Sequence, residues 1–574
     1  MDINEVIFVF IYGFLFFSCP GGHFDPIRQP VKSAGIGYRP YYKERKFFWQ
    51  YFANEQGHGI LEGMKTRVKN FLFKEQNMIL ECIVAAFFIL VSGVILFLCV
   101  KSGLREDIWF DEVFSMRFLE KSYGEIAALT AADVHPPLYY WYLKGFHDLF
   151  HMILPGVPSP VLAKMASVLP FIGVWVYALT LVRKRMGILV SAVFLFFVSS
   201  MPQILNYSVE IRMYSLALFM ITACFLHGYE IILENKKRNW LAFLLYGIAT
   251  AYTQYYACIA IMAVYLALFA YFAITKQKNQ LLMVLGCGAV SVVFYLPWIP
   301  VLISQITTVN SNYWIQPLTF RSIFGCIKFI FMPSTYYVGM KNYLYAVVMI
   351  GIFGLAFLYG IWKEKNARTR YLLLGGIFIP VFVAFMGFVC SALNRPIFVY
   401  RYLVPGLGAM WLVAAYVLLK YRREWIVLLL LIPFVMAGRY NVNGFYSEEV
   451  KKVENMEMTE AFLEAFPKDA VILCNFNHVQ ATAAYYLDNE IVLYGGEPEA
   501  LIQTLEPNCV GLLQIENLPD LVKEKDVYFF GSFEAREALL EEWAQYGISY
   551  TEEGTFLLER YWFNVYHLKY ENQE

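Results

Sequence analysis

The sequence predicts an α-helical polytopic membrane protein that ends in a small α/β domain. Three observations carry this reading. Apolar side chains make up 59% of the 574 residues and charged ones only 16%, against about half and about a quarter in soluble domains. Runs apolar enough to cross a bilayer recur along the chain to about residue 440 and then stop. From residue 441 the chain holds 25 acidic against 8 basic side chains. The preceding part is therefore basic, although the whole chain carries no net charge. No basic stripe suggests nucleic acid as a partner.

In chain order, residues 7–17 are apolar but too short to span, and Cys19-Pro20-Gly21-Gly22 interrupts them. No signal-peptide cleavage pattern follows. Residues 1–63 read as an N-terminal extension, with Met64 and the basic segment after it as the natural start. Residues 64–440 read as the membrane domain and 441–574 as a water-soluble domain. Spans are expected near 78–100, 161–182, 187–206, 214–233, 239–254, 255–274, 280–303, 342–362, 371–393, 402–419 and 424–439, about eleven in all. Basic clusters test this threading. Lys65, Arg67, Lys69 and Lys74 precede the first span, Arg183-Lys184-Arg185 follow the second, and Lys236-Lys237-Arg238 follow the fourth. Similar clusters follow the sixth, eighth and tenth, so all fall on one side. The positive-inside rule then makes the N-terminus cytoplasmic and the acidic tail external in a multi-pass plasma membrane protein, by composition a bacterial one.

Residues 137–150 are apolar enough to imitate a span. Counting them as one would place Arg183-Lys184-Arg185 outside. Lys144, His147, Asp148 and His151 interleave with Trp141 and several tyrosines, which suits a helix lying in the interface. Residues 101–160 thus form one external loop, and 304–341 a second. In the tail, short apolar runs at 470–473, 491–494, 510–513 and 527–530 alternate with helical stretches near 479–487, 498–504 and 533–545, which predicts a partly parallel sheet. Gly495-Gly496 is a turn without a phosphate loop, and His478 reads as a surface or structural histidine rather than a ligand. Of ten scattered cysteines, most lie in apolar runs as small hydrophobes; Cys474 and Cys509 are the pair that could form a disulfide.

This threading, drawn from hydropathy and basic clusters, gathers the unusual polar residues on one face. Asp111, Glu112, Asp133 and His135 lie in the first external loop. Glu210, Arg212 and Tyr214 sit at the next outer turn, then Gln254, then Asn394, Arg395, Arg401 and Tyr402. Each has an ordinary explanation alone. The acidic pair could be solvated loop charge, Pro136-Pro137 a chain break, Glu210 and Arg212 a local helix-end pair, and each Arg a residue snorkelling to headgroups. Together, carboxylates beside guanidinium groups at one membrane face suggest chemistry on a membrane-delivered anion.

Asp111-Glu112 soon after the first span, followed by Asp133-x-His135-Pro136-Pro137-Leu138, resembles the first-loop pattern of the GT-C glycosyltransferases. The nearest branch is that of the protein O-mannosyltransferases and their bacterial relatives that use polyprenyl-phosphate sugars. Glu210-x-Arg212-x-Tyr214 and Arg401-Tyr402-Leu403-x-Pro405 also resemble segments of bacterial members. The likeness covers residues 75–440. Two positions depart: Gln254 stands where many relatives carry His, and His135 stands where the aminoarabinose transferases have Lys. The second departure leans toward the mannosyltransferase-like type. The resemblance implies a GT-C membrane fold and a sugar donor on a polyprenyl phosphate that enters from the lipid. It implies Asp111 as general base on an acceptor hydroxyl, Glu112 orienting it or binding acceptor, and transfer with inversion. Asp133, His135, Pro136 and Pro137 would shape the acceptor loop, and Arg401, Arg212, Arg395 and Tyr402 would hold the leaving phosphate. Glu210, Tyr214 and Gln254 would support them. No cofactor is implied; if a divalent cation such as Mg²⁺ binds, Asp111 and Asp133 would be its ligands.

Rival classes remain at this stage. A flippase or transporter of lipid-linked sugar would also need many spans, but carriers place charges near the midplane and show inverted repeats. An envelope scaffold would recruit partners through the acidic tail. A glycan ligase or polymerase would use a diphosphate-linked donor.

Overall fold

The computed structural model describes residues 55–308, 315, 317–333, 339–393, 396–420, 424–495, 500–558 and 561–571. The expectations for residues 1–54 and for Asn394 and Arg395 lie outside the described residues. All the elements that build the site belong to one compact unit, Asn77–Glu574.

Helix α1 (Glu55–Gly103) leads into the bundle. Two short helices follow, α2 (Phe110–Arg117) and α3 (Tyr123–Ala132), then the amphipathic α4 (Leu138–Ile153). The bundle continues with α5 (Ser159–Met186), α6 (Ile188–Ser200), α7 (Ile204–Val209), α8 (Tyr214–Glu234), α9 (Lys237–Ala251) and α10 (Tyr255–Ile274). It is completed by α11 (Lys278–Ile306), α12 (Phe320–Phe331), α13 (Met340–Lys363), α14 (Ala367–Leu393), α15 (Tyr400–Lys420) and α16 (Glu424–Ala465).

Eight helices among the described residues are long and apolar enough to cross a membrane: α1 from Ile79, α5, α8, α10, α11, α13, α14 and α15. The chain is a multi-pass membrane protein. The three other expected spans are also helices. Two of them, α6 and α9, are only 13 and 15 residues long, and a span needs about 20. The third is the start of α16, which continues for 42 residues, so residue 440 lies inside a helix. The segment read as interfacial is α4, 16 residues with its charged groups along one side. Helix α15 is wrapped on all sides, with Leu407, Trp411, Leu412 and Val413 fully buried. It forms the centre against which α6, α8 and α14 pack.

After α16 comes the sheet domain: β1 (Val471–Cys474), α17 (Asn477–Tyr486), β2 (Ile491–Tyr494), α18 (Ala500–Leu505), β3 (Cys509–Leu513), α19 (Leu518–Glu524), β4 (Val527–Gly531), α20 (Ala535–Ala544), β5 (Ile548–Leu558) and β6 (Tyr561–Tyr570). The strand order is β3-β2-β1-β4-β6-β5. The first four strands are parallel, and the last two join antiparallel. The four short runs foreseen from sequence are the parallel strands. The β5–β6 pair and α19 were not foreseen, because β5 carries Glu552-Glu553 and an exposed face with little apolar periodicity. Cys474 and Cys509 are both free; they sit on β1 and β3 with β2 between them.

Candidate active site

Helix α2 carries the acidic pair, and the two carboxylates point to different tasks. Glu112 is only 3% exposed. One of its oxygens accepts the Trp109 backbone N–H at 3.0 Å, capping the helix, and the other accepts the Ile211 N–H at 2.7 Å. A buried carboxylate taken up by two backbone donors is a strong positional tie. Glu112 therefore stitches α2 to the turn before α8.

Asp111 faces the guanidinium groups. Its Oδ2 accepts from Arg401 Nη1 at 2.8 Å, and Arg212 Nε lies 4.0 Å from the same oxygen. Arg212 also donates to the Asp111 carbonyl at 3.0 Å and, through its other terminal nitrogen, to His135 Nε2 at 3.1 Å. His135 is thus an acceptor and neutral. The surrounding protein, together with Arg212 and Arg401, pushes its pKa down to about 3. Asp133, the C-cap of α3, is pushed up to about 6. Loss of hydration does most of this and Asp111 adds to it, while Arg212 and the Val134 N–H oppose it.

Arg401 lies over the Tyr214 ring at 5.9 Å, and Tyr402 stacks on Tyr256 with centroids 4.3 Å apart. Pro137 precedes α4, whose first N–H donates to the Tyr252 carbonyl at 3.0 Å, tying the His135-Pro136-Pro137 loop to the end of α9. Gln254 is buried and caps α10 through the Ala257 N–H at 3.1 Å, a structural task its sequence position did not show. Arg212 and Arg401 each have a buried Nε with no hydrogen-bond acceptor among the described residues. Unmet buried donors on two adjacent guanidinium groups ask for an anion.

Glu210 meets Arg212 through the backbone, its carbonyl accepting the Arg212 N–H at 2.7 Å. The Arg212 side chain reaches Asp111 and His135, while Glu210 lines a cavity of about 700 Å³ with Asp107, Glu112, Lys164, Tyr207 and Trp562. Lys164 pairs with Asp107 at 3.2 Å there. Sequence reading passed over this lysine, although a cation in an apolar helix is itself a signal. Among the described residues no group of three or more His, Cys, Asp or Glu side chains is placed to hold a metal ion. Asp111 faces two guanidinium groups, surroundings that disfavour a further cation.

The sheet domain packs directly on α2. Trp109 and Phe110 belong to the same buried cluster as Ile472, Ala481, Ile491 and Phe563. Arg117 makes a bidentate pair with Glu506, both bonds 2.8 Å, and Glu506 is 1% exposed. Burial holds the Glu506 carboxyl above its usual range despite Arg117. Removing one partner of a buried pair strands the other charge. Arg117→Ala is therefore expected to cost about 3 kcal/mol of stability, measured by denaturant unfolding in detergent, with Glu506→Gln in the same background recovering part of the loss.

No family model matches the sequence, and no curated protein matches it. Solved structures do. ArnT from Cupriavidus metallidurans, in the apo state and bound to undecaprenyl phosphate, is 13% identical and gives a TM-score of 0.50 over 84% of this chain and 97% of that one. Arabinofuranosyltransferase AftD from Mycobacteria gives 0.44 at 13% identity over 85% of this chain and 40% of that one. The chain has the GT-C fold, the one its first-loop residues resemble.

Proposed function

We propose that this chain is a membrane glycosyltransferase that moves a mannose-like hexose from a polyprenyl phosphate to an acceptor hydroxyl on the external face of a bacterial plasma membrane. The observation that carries it is the Asp111 carboxylate held 2.8 Å from Arg401, with Arg212 beside it and both Nε donors unmet among the described residues. A similarly folded ArnT structure holds undecaprenyl phosphate. A phosphate arriving from the lipid competes for Arg401 and Arg212 and frees a carboxylate oxygen. Asp111 then takes the proton of the acceptor hydroxyl. The acceptor oxygen bonds to the anomeric carbon as the carbon–phosphate oxygen bond breaks, so the configuration inverts and polyprenyl phosphate leaves. Charge grows on that leaving oxygen in the transition state, where fixed guanidinium groups stabilise it most.

The direct test is a turnover assay on purified full-length protein with undecaprenyl-phosphate [¹⁴C]mannose. Formation of undecaprenyl phosphate with release or transfer of the sugar is expected. Tight binding that leaves the donor intact would favour the carrier reading. Turnover only with a diphosphate-linked donor would favour a ligase.

The ion cluster also predicts a pH dependence. Below about 6 Asp133 gains a proton and its negative charge is lost; above about 6 it is a carboxylate. Donor phosphate is expected to bind several-fold more tightly at pH 5 than at pH 7.5, because a like charge nearby has been removed. In Asp133→Asn that difference should vanish, as read by equilibrium binding of undecaprenyl-phosphate mannose, a phosphodiester whose own charge does not change over this range.

A further inference from the structure

The sheet domain turns the carboxyl ends of its strands toward α2. Its order β3-β2-β1-β4 has a topological switch between β1 and β4, and open α/β sheets bind ligands in the crevice outside such a switch. Here the two strand ends are joined by a reciprocal pair of hydrogen bonds. Asn475 Nδ2 donates to the Ser532 carbonyl at 2.9 Å, and the Ser532 N–H donates to Asn475 Oδ1 at 2.8 Å.

The residues just beyond are unusual in three ways. Phe533 is 60% exposed and sits at φ +60°, a region costly for a bulky side chain and a recurrent mark of functional segments. Ser532 is 1% exposed, and its hydroxyl has no hydrogen-bond partner among the described residues; Asn477 Oδ1 is buried in the same condition. His478 Nδ1 is engaged by the Tyr561 hydroxyl at 2.6 Å, while no hydrogen bond engages its Nε2 among the described residues.

The rings form a continuous path. Phe533 meets Phe476 at 4.9 Å, Phe476 meets His478 at 4.5 Å and Tyr561 at 5.2 Å, and His478 stacks on Phe110 at 3.7 Å. Phe110 is the residue before Asp111. The row runs from the exposed, strained Phe533 to the buried Phe110 beside Asp111.

We propose that this strand-end crevice is the acceptor subsite and that it takes an uncharged carbohydrate chain, which rests on Phe533 and Phe476 and hydrogen-bonds Ser532, Asn477 and His478. The chemistry of the crevice favours sugar. Ring faces accept the C–H faces of a pyranose, and hydroxyl, amide and neutral imidazole groups offer the mixed donors and acceptors that sugar hydroxyls need. None of these five side chains carries a formal charge; the nearest cation, Arg536, donates to the Phe533 carbonyl at 2.7 Å. The transfer role of the crevice rests on the glycosyltransferase reading above, whereas its affinity for sugar does not.

The experiment is saturation-transfer NMR and calorimetric titration of the full-length protein in detergent with neutral manno- and gluco-oligosaccharides, and separately with a Ser/Thr-rich peptide. Wild type is expected to bind an oligosaccharide, and Phe533→Gly to weaken it about ten-fold, the scale of one aromatic contact. Glycine adopts positive φ freely, so this variant relieves the backbone and a misfolded crevice would not explain the loss. His478→Gln, which keeps a donor and an acceptor, should weaken binding less than His478→Ala. Absence of oligosaccharide binding, binding unchanged in Phe533→Gly, or binding of the peptide alone would each overturn the proposal. Undecaprenyl-phosphate mannose cleavage by the same wild-type sample scores the transferase reading independently, since sugar can bind without turnover.

Discussion

Asp111→Asn is expected to lower the transfer rate by on the order of 10²–10⁴ while donor binding survives. The substitution keeps the shape of the side chain and an oxygen that can accept from Arg401, 2.8 Å away, but removes the basic site for the acceptor proton. The loss should therefore appear in kcat, with KM for the lipid donor little changed. A matched fall in donor affinity would make Asp111 an electrostatic support for the arginines instead. Full activity would move the base to another carboxylate. Glu112 is a poor substitute because backbone N–H groups already occupy both its oxygens. Asp133 would be next, since its pKa of about 6 leaves it ionised at neutral pH.

Arg401→Gln should lower the rate by on the order of 10²–10³ and, unlike Asp111→Asn, weaken the binding of undecaprenyl phosphate as well. Arg401 touches both partners of the proposed reaction: its terminal nitrogen holds Asp111, and its buried Nε lacks an acceptor among the described residues. Arg401→Lys keeps the charge but loses the planar fork, so it should recover part of the donor affinity and little of the rate. The double variant Asp111→Asn with Arg401→Gln should be barely slower than the worse single one, because groups acting as a unit are strongly non-additive. Additive losses would mean that the two residues serve separate steps.

The part of this architecture legible in the sequence is the part that bilayers make expensive. Arg212, Arg401, Asp111 and Asp133 stand out because charged groups at the ends of apolar runs need a reason to be there. Threading puts them on one face, but their meeting is made by the fold, since Asp133 caps the end of α3 while Asp111, Arg212 and Arg401 lie at or just before the starts of α2, α8 and α15. What could not be read has two causes. Helices α6 and α9 are short, and hydropathy windows of span length merge them with their flanks. More consequentially, residues 108–117 look like loop until their partners are known. Those partners, Tyr486, Glu506 and His478, lie more than 360 positions away and leave no periodic trace near α2. His478 reads as structural for the same reason: nothing local places it against Phe110.

The Arg117–Glu506 pair spans 389 positions, and that separation sets an order of events during synthesis. At ribosomal speeds of about 5–20 residues per second, roughly 20–80 s pass between the making of α2 and the making of its partner. Through that interval the bundle can assemble while the segment bearing Asp111 lacks the surface that orders it. Lipid carriers charged with sugar are costly metabolites, and water is always available as a wrong acceptor. On the proposed transfer reading, a nascent chain that has not yet made the sheet domain would spare its donor, and synthesis of that domain would be the event that readies the Asp111 helix.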